Sequence, residues 1–314
     1  MRIVDAEATR AALPFEQLVP ALRRAFAEGC EVPPRQALRV DDTPGAGCSS
    51  LLMPAWSRSG GATRHYGVKI VNIAPGNAAR GLPGLHASYL LFDATTGVPL
   101  ACIDGSVLTT RRTAAASALA ASFLARADAR RLLVVGAGAV ARVLPAAYRV
   151  VRPIDQVSVW ARRPDQAAAL AETWRADGFD ATASLDLAGA VARADIVSCA
   201  TLATEPLLQG RWLAPGSHLD LIGSFTPQMR EANDDCFAGA ELFIDSDEAL
   251  RKSGDLLGPM SRGVFDAAQL RGTLAGLCDG SARGRHTAQQ RTVFKSVGTA
   301  LEDLAAAVLV AGGG

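Results

Sequence analysis

Lys69 is the residue whose place in the sequence points most directly to chemistry. It lies in a predicted strand that covers residues 66–72, where it shares one face with Gly67 and Val71. An ammonium in such an apolar row must reach water, pair with an acid or face a ligand cavity. A lysine that reaches water from an edge strand and a lysine that faces a ligand explain this position equally well.

Arg111 and Arg112 form a second candidate site. They directly precede an alanine-rich segment, 113–125, that predicts a helix. Cations at the start of a helix oppose the helix dipole unless an anion is bound there. We therefore expect one arginine of the pair to bind an anion and the other to be solvated. The alternative is that both are ordinary solvated arginines.

A glycine turn follows a short apolar run in the middle of the chain. Residues 132–135 are Leu-Leu-Val-Val, which suits a buried parallel strand, and Gly136 and Gly138 follow it. Gly136 permits a tight turn, Gly138 lets a pyrophosphate approach the backbone, and Ala141 lets the next helix pack closely. Glycines also end strands for structural reasons alone, but this placement between strand and helix favours a dinucleotide site.

The end of the next predicted strand indicates which dinucleotide. A site specific for NAD presents an acid there to the ribose hydroxyls, whereas this chain presents Ala161, Arg162 and Arg163. Two arginines suit the 2′-phosphate of NADP(H). We therefore favour NADP(H), with NAD(H) as the alternative, although exposed arginines at a strand end would look the same.

The overall composition excludes several classes of protein. The chain is 49% hydrophobic and 20% charged with a net charge of +1, as is usual for a soluble enzyme that binds neither nucleic acid nor a membrane surface. We find no signal peptide and no apolar run long enough to span a membrane. The six cysteines and four histidines are dispersed and form no metal motif. We expect a reduced, cytoplasmic protein without a metal.

The order of the predicted elements indicates an α/β fold with two domains. A helix over 14–29 precedes five short strands separated by turns, at 36–40, 49–53, 66–72, 88–93 and 99–103. After the glycine turn, predicted strands at 156–160, 195–199, 218–222 and 241–244 alternate with helices at 164–175 and 186–193, and a helix over 298–310 ends the chain. This predicts a Rossmann-type doubly wound parallel sheet domain plus a smaller α+β domain.

Six sequence blocks together resemble the ornithine cyclodeaminase/mu-crystallin family. The blocks are Met-Pro-Ala from Met53, GVKIVNIAPGNAARGLPG from Gly67, DATTGVPLACIDGSVLTTRRTAAASALAA from Asp93, VVGAGAVAR from Val134, GSFTPQMRE from Gly223 and TVFKSVGTALEDLAAA from Thr292. The resemblance implies a substrate-binding and dimerisation domain at 1–112, completed by 296–314, and an NAD(P)-binding Rossmann domain at 113–295. It also implies a homodimer.

The family pattern assigns roles to residues of this chain. Lys69 matches the active-site lysine, and Arg35 and Arg112 match the arginines that grip the substrate carboxylate. The pattern places further residues at the substrate pocket, namely Met53, Phe225 and Val297. The resemblance also implies cofactor contacts for Gly136, Gly138, Arg162 and Arg163. Further implied cofactor contacts are Arg112, Ala139, Val140, Thr201, Ser224 and Ser296.

The departures from the family pattern narrow the expected activity. Phe225 stands where ornithine cyclodeaminases carry an aspartate, Met229 where they carry a lysine, and Val140 where a glutamine is usual. A phenylalanine can neither exchange a proton nor pair with the δ-ammonium of ornithine. The Gly223 block with Phe225, Thr226 and Pro227 instead resembles that of family members that reduce cyclic ketimines. This resemblance implies reduction of a cyclic imino acid such as 1-pyrroline-2-carboxylate to L-proline. The alternatives are ornithine cyclodeaminase, alanine dehydrogenase and an NADPH-dependent protein that binds a small ligand.

Overall fold

We analysed a computed structural model, which describes residues 1–43, 47–58 and 64–312. The chain divides into two compact units. Unit 1 is Met1–Arg112 together with Thr299–Gly314, and unit 2 is Thr113–Gly298. The helices of the described residues are α1 Ala6–Ala12, α2 Phe15–Glu28, α3 Gly105–Leu124, α4 Ala139–Arg149, α5 Pro164–Ala176, α6 Leu187–Arg193, α7 Ala249–Lys252, α8 Gly254–Ser261, α9 Leu274–Asp279 and the C-terminal helix Ala300–Ala311. None of these described helices is long and apolar enough to cross a membrane.

Unit 1 is built on a seven-stranded sheet in the order β1-β7-β6-β5-β4-β2, with β3 paired to β4. All of its pairs are antiparallel except β1 with β7. The strands are β1 Arg2–Val4, β2 Cys30–Glu31, β3 Gln36–Asp41, β4 Cys48–Ser57, β5 His65–Ile73, β6 Leu85–Asp93 and β7 Pro99–Asp104. The five predicted strands are all present, and β1 and β2 are additions whose two or three residues are too short to show an alternating pattern.

One face of the unit 1 sheet is buried beneath the C-terminal helix. Along β5, alternate residues are buried, so that Gly67, Lys69 and Val71 share the covered face. The C-terminal helix packs across β4, β5, β6 and β7 and also against α2. Thr299 caps this helix by accepting a hydrogen bond from the backbone N–H of Leu301.

Unit 2 is a parallel eight-stranded sheet in the order β10-β9-β8-β11-β12-β15-β13-β14. Its strands are β8 Arg131–Val135, β9 Gln156–Trp160, β10 Asp180–Ala183, β11 Ile196–Cys199, β12 His218–Leu221, β13 Glu241–Ile244, β14 Leu270–Thr273 and β15 Thr292–Lys295. The strand order reverses beside β8, which is the doubly wound pattern. The predicted Rossmann-type fold is confirmed.

The structure corrects the predicted start of α3. This helix begins at Gly105, where the carboxylate of Asp104 accepts a hydrogen bond of 2.8 Å from the backbone N–H of Val107. Arg111 and Arg112 therefore lie two turns inside the helix. The argument that an anion at a helix N-terminus attracts them was wrong, because alanine content marked only the second part of the helix.

The chain leaves unit 2 and returns to unit 1 between Gly298 and Thr299. This boundary lies three residues later than the predicted one at 295/296. The backbone N–H groups of Val297 and Gly298 each donate a 2.7 Å hydrogen bond to the carboxylate of Asp245, which follows β13. Ser296 likewise donates its N–H to the carbonyl of Leu221. These bonds attach the segment after β15 to unit 2.

Candidate active site

Lys69 lies in the interior of the unit 1 sheet and pairs with an acid. Its neighbours across the sheet are Met53 on β4 and Tyr89 on β6, both buried on the same face. Lys69 is only 2% exposed, and its Nζ lies 2.7 Å from Oδ2 of Asp303 on the C-terminal helix. The alternative of an edge-strand lysine that reaches water is therefore excluded. Burial lowers the pKa of Lys69 to about 8, against the opposing charge of Asp303.

Arg112 joins the same cluster. It is 6% exposed, with its Nη1 at 2.6 Å from Oε2 of Glu302 and its Nε at 2.9 Å from Oδ1 of Asp303. The two oxygens of Asp303 therefore face two different cations. Burial acts to raise the pKa of Asp303, but Lys69 and Arg112 outweigh it and hold that pKa below its ordinary value. Asp303 is therefore ionised at neutral pH.

Arg111, the neighbour of Arg112, has a structural contact instead. Its Nε donates a 2.6 Å hydrogen bond to the carbonyl of Leu13, and its guanidinium lies 4.1 Å from the ring centroid of Phe15. The expectation that one arginine of the pair would be solvated was wrong, since both are held by protein groups.

The sequence reasoning gave Glu302 and Asp303 no role, although they complete the cluster. Both carboxylates are buried, at 1% and 0% exposure. The available signal was a pair of adjacent acids in an otherwise apolar helix, because such a helix is buried and a buried acid requires a partner. Acidic residues are also common in the first turn of any helix, because they interact favourably with the helix dipole. Their position alone therefore did not indicate a buried cluster.

Arg35 and Met53 also lie in unit 1. Arg35 is half-buried in the segment before β3, and its charge contributes to the lowered pKa of Asp303. Met53 is buried beside Lys69. The structure thus brings Lys69, Arg112 and Met53 into direct proximity, with the charge of Arg35 acting on the same cluster.

Unit 2 carries a groove at the carboxyl end of β8. Gly136 turns out of the strand with φ +114°, and a Cβ at this position would lie 2.5 Å from the carbonyl oxygen of Ala200. The space above Gly138 is open. The residues that line the groove are Gly136, Ala137, Gly138, Trp160, Ala161, Arg162, Arg163, Gln166, Ala200, Thr201, Leu202, Ala203 and Leu207.

The shape and donors of this groove fit a dinucleotide. Gly138 is the N-cap of α4 and supplies no side chain, so the N–H groups at Ala139 and Val140 begin a helix without a side-chain cap. Arg162 and Arg163 are exposed and line the groove after β9. The lining residues include no acid, which suits an additional phosphate. Among the described residues there is also no group of three or more His, Cys, Asp or Glu side chains that could hold a metal ion.

The remaining predicted residues of unit 2 differ in their surroundings. Thr201 lines the groove, whereas the hydroxyl of Ser224 is buried, donates to the carbonyl of Met229 at 2.6 Å and lies 3.0 Å from the hydroxyl of Ser253. Phe225, two residues after Gly223, is 38% exposed in an irregular segment. Ser296 is buried and Val297 is half-buried. Because the Ser224 hydroxyl already has protein partners, its contact with the cofactor stays a prediction.

Comparison with known proteins decides the family, because the model of the ornithine cyclodeaminase/mu-crystallin family matches residues 4–312. The chain belongs to this family. It is 43% identical over 301 residues to the Delta(1)-pyrroline-2-carboxylate reductase of Paracoccus denitrificans, covering 95% of this chain and 92% of the relative. It is 36% identical to the ketimine reductase mu-crystallin of Mus musculus over 260 residues, 82% of this chain and 78% of the relative.

A solved structure supports the same assignment. The Delta(1)-pyrroline-2-carboxylate reductase of Thermococcus litoralis, in complex with NADH and L-proline, superposes with a TM-score of 0.93. The two sequences are 32% identical, and the superposition covers 100% of this chain and 97% of the Thermococcus litoralis chain. The predicted family is confirmed, and the chain is an oxidoreductase of the ornithine cyclodeaminase/mu-crystallin family.

Proposed function

We propose that this family member reduces a cyclic imino acid, such as 1-pyrroline-2-carboxylate, to the corresponding L-amino acid, such as L-proline, with NADP(H). The observation that carries the proposal is the buried cluster of Lys69, Arg112, Glu302 and Asp303 in unit 1. It joins one group able to exchange a proton near neutral pH to a guanidinium held in a fixed orientation. The reductase names of the relatives support it.

The substrate carboxylate is bound by Arg35 and Arg112. A guanidinium offers five N–H donors in one plane, and the contacts of Arg112 with Glu302 and Asp303 hold that plane in place. Fixing the carboxylate also fixes the adjacent C2 carbon. The buried Met53, beside Lys69, contributes apolar surface for the ring methylenes.

Lys69 supplies the proton that the reaction needs. A bound nicotinamide supplies a hydride to C2 of the C=N bond, and the imine nitrogen takes up one proton. Because burial lowers the pKa of Lys69 to about 8, its ammonium is a stronger acid than an exposed lysine and is still largely protonated at pH 7. Asp303 keeps the ammonium oriented and compensates its charge.

Phe225 distinguishes imine reduction from ornithine cyclodeamination. Its side chain provides an apolar surface where a carboxylate would be needed to accept the δ-ammonium of ornithine. A cyclic imino acid has no second amino group, so an apolar wall suits its ring. We assign Phe225 and Val297, both in unit 2, to contacts with the ring methylenes of the substrate.

NADP(H) is the proposed cofactor because of the charge in the groove. Gly136 makes the tight turn after β8, and Gly138 leaves room at the backbone for the pyrophosphate. Thr201 and Ser296 are assigned to the nicotinamide side. Arg162 and Arg163 would pair with the 2′-phosphate, and an acid that would repel it is missing from the residues lining the groove.

We also propose a homodimer formed through the uncovered face of the unit 1 sheet. Side chains on β4, β5 and β6 that alternate with the buried ones are apolar yet only half-buried or exposed. They are Leu52, Pro54, Trp56, Tyr66, Val68, Ile70, Leu90 and Phe92. A contiguous apolar sheet face of this kind marks a protein interface.

The six cysteines are all free thiols, which favours a location in the reducing cytoplasm.

A spectrophotometric assay tests the proposed reaction. Purified protein is mixed with NADPH or NADH and with 1-pyrroline-2-carboxylate, 1-piperideine-2-carboxylate, or pyruvate plus ammonia, and separately with L-ornithine. We expect cyclic imines to oxidise NADPH faster than NADH, and a Lys69→Met variant to lose the activity while binding cofactor normally. Turnover of pyruvate and ammonia alone would instead assign an alanine dehydrogenase. Ammonia release from ornithine would assign a cyclodeaminase, and cofactor binding without any turnover would assign a binding protein.

A further inference from the structure

Glu231 is a buried carboxylate of unit 2 that joins two loops at the carboxyl end of the sheet. Its Oε1 accepts hydrogen bonds from the backbone N–H of Thr201 at 2.7 Å and from the Thr201 hydroxyl at 2.9 Å. Its Oε2 accepts from the backbone N–H of Gly223 at 2.7 Å. Thr201 follows β11 and Gly223 follows β12, so one side chain holds the ends of two adjacent strands.

One of these loops is a wall of the dinucleotide groove. Thr201 lines the groove together with Leu202 and Ala203, and the Thr201 hydroxyl also accepts a hydrogen bond of 3.3 Å from the N–H of Ala203. The packing behind this wall is tight, since a Cβ on Gly223 would lie 1.8 Å from the carbonyl oxygen of Thr201. The position of the wall therefore depends on the contacts of Glu231.

The charges around Glu231 are buried with it. Asp255 on α8 accepts from the backbone N–H of Glu231 at 2.8 Å, and Lys295 on β15 lies 3.5 Å from the same Asp255 carboxylate. Cys199 on β11 contributes a thiol, whose pKa is raised by burial and by Glu231. Burial raises the pKa of Glu231 to about 7, with Lys295 acting to lower it and Asp255 to raise it.

We propose that Glu231 is a positioning residue for the dinucleotide, whose ionised form holds the Thr201 and Gly223 loops in the cofactor-binding arrangement and whose protonation loosens them. The inference rests on the proposed use of a nicotinamide cofactor. A carboxylate satisfies all three donors because it only accepts hydrogen bonds. Once protonated, it presents an O–H toward a backbone N–H, and at least one of the three bonds is lost.

Direct binding measurements at several pH values test this proposal. The dissociation constant of NADH is measured by fluorescence for the wild type between pH 8 and pH 6, because NADH lacks the 2′-phosphate that titrates near pH 6. We expect the constant to rise about tenfold as the pH falls, the equivalent of one weakened charge-assisted hydrogen bond. Glu231→Gln, whose amide turns a donor toward an N–H, should bind about tenfold more weakly at pH 8 and show no such pH dependence.

Asp220→Asn is the matched control. Asp220 is also fully buried in unit 2 and accepts three side-chain hydrogen bonds, from Ser117, Ser198 and Tyr148. It is not one of the residues that line the groove. We expect this variant to lower the melting temperature while leaving the pH dependence of NADH binding unchanged. The comparison separates loop positioning from general stability.

The outcomes are distinct. A wild-type dissociation constant that stays constant between pH 8 and pH 6 overturns the proposal and needs no variant, so the test survives even if Glu231→Gln fails to fold. Equal weakening of binding in both variants also overturns it. Protein that binds NADH in the expected pH-dependent way but reduces no cyclic imine supports this inference and refutes the proposed function. Failure of the wild type to bind either dinucleotide refutes both.

Discussion

Lys69 and Asp303 form an ion pair of 2.7 Å between an interior strand and the C-terminal helix, with both side chains almost completely buried. Asp303 also faces Arg112 at 2.9 Å, and Glu302 is a second acid for Arg112 at 2.6 Å, so that two cations and two carboxylates are buried together. Two charged residues removed from water cost several kcal/mol each unless they are paired, and removal of one partner costs about 3–5 kcal/mol. Burial of this charged cluster is therefore not explained by a contribution to folding stability, which favours a role for it in catalysis.

Asp303→Asn should impair both the reaction and the fold of unit 1. The amide no longer compensates Lys69, so the pKa of the lysine falls further below about 8 and less ammonium is present at pH 7. We expect kcat/KM for the imine to fall about a hundredfold or more. The decline of activity on the alkaline side should move to lower pH, as measured by steady-state kinetics with saturating NADPH.

Glu302→Gln is the matched control for this variant, since Glu302 is the neighbouring buried acid and contacts Arg112 rather than Lys69. It should raise the KM of the imine through Arg112 while leaving the pH profile nearly in place. Urea unfolding should show whether each variant remains folded at the assay temperature. Identical pH profiles for the two variants would contradict the assignment of Asp303 to Lys69.

The pH dependence of wild-type turnover follows from the pKa of Lys69. As the proposed proton donor in imine reduction, Lys69 must be protonated, so kcat/KM should be constant below pH 8 and fall tenfold per pH unit above it. In the direction of amino acid oxidation the neutral amine is required, and the rate should rise over the same range. Rates are measured from pH 6 to pH 10 with saturating cofactor, which removes changes in cofactor affinity. Reduction that stays constant to pH 10 would exclude Lys69 as the proton donor.

The extent of what the sequence predicts can be seen at Lys69 itself. Alternating apolar residues were enough to predict β5 and the face that Lys69 occupies, because a strand has a period of two. They could not identify Asp303 as its partner, since the pairing depends on how the C-terminal helix crosses the sheet. The start of α3 was missed because a cap by Asp104, not alanine content, determines where that helix begins.

In unit 2, too, local motifs could be predicted from the sequence, whereas contacts between distant segments could not. The glycine turn and the arginines after β9 lie within one local motif, so the sequence was enough to predict the groove. Glu231 lies in an irregular segment with no periodic pattern, and its importance arises only when Thr201 and Gly223 meet it. The short helices α7, α8 and α9 and the strands β10, β14 and β15 were also missed, because segments of four to eight residues rarely carry enough periodicity to identify them.

Replacement of both groove arginines should change the cofactor preference. In the double variant Arg162→Ala, Arg163→Ala, the 2′-phosphate loses its cationic partners, while the rest of the dinucleotide keeps its contacts. We expect the dissociation constant of NADPH to rise about thirtyfold, as for one or two lost charge-assisted hydrogen bonds, and that of NADH to change less than about twofold. Fluorescence titration with each cofactor measures both constants. Arg211→Ala, an exposed arginine that does not line the groove, serves as control. Equal weakening of NADPH and NADH would contradict a 2′-phosphate site.

Phe225→Asp should weaken imine reduction and open a path toward ornithine. A carboxylate at this position repels the substrate carboxylate and removes the apolar wall proposed for the ring, so kcat/KM for 1-pyrroline-2-carboxylate should fall about tenfold or more. The same carboxylate offers a partner for a δ-ammonium, so L-ornithine should bind and release ammonia slowly, as detected with a coupled ammonia assay.

Phe225→Leu separates the effect of charge from the effect of size. It keeps an apolar side chain at a position that is 38% exposed, so its cost to folding is small, and we expect it to retain imine reduction within about threefold. Phe225→Asp and Phe225→Leu would then differ in rate mainly through the new charge. If the two variants reduce the imine equally well, the side chain of Phe225 does not face the substrate, and the wall must be assigned to another residue. Such a result would leave the roles proposed for Lys69 and Arg112 intact, because those residues belong to unit 1 and are proposed to supply the proton and to bind the carboxylate, not to contact the ring.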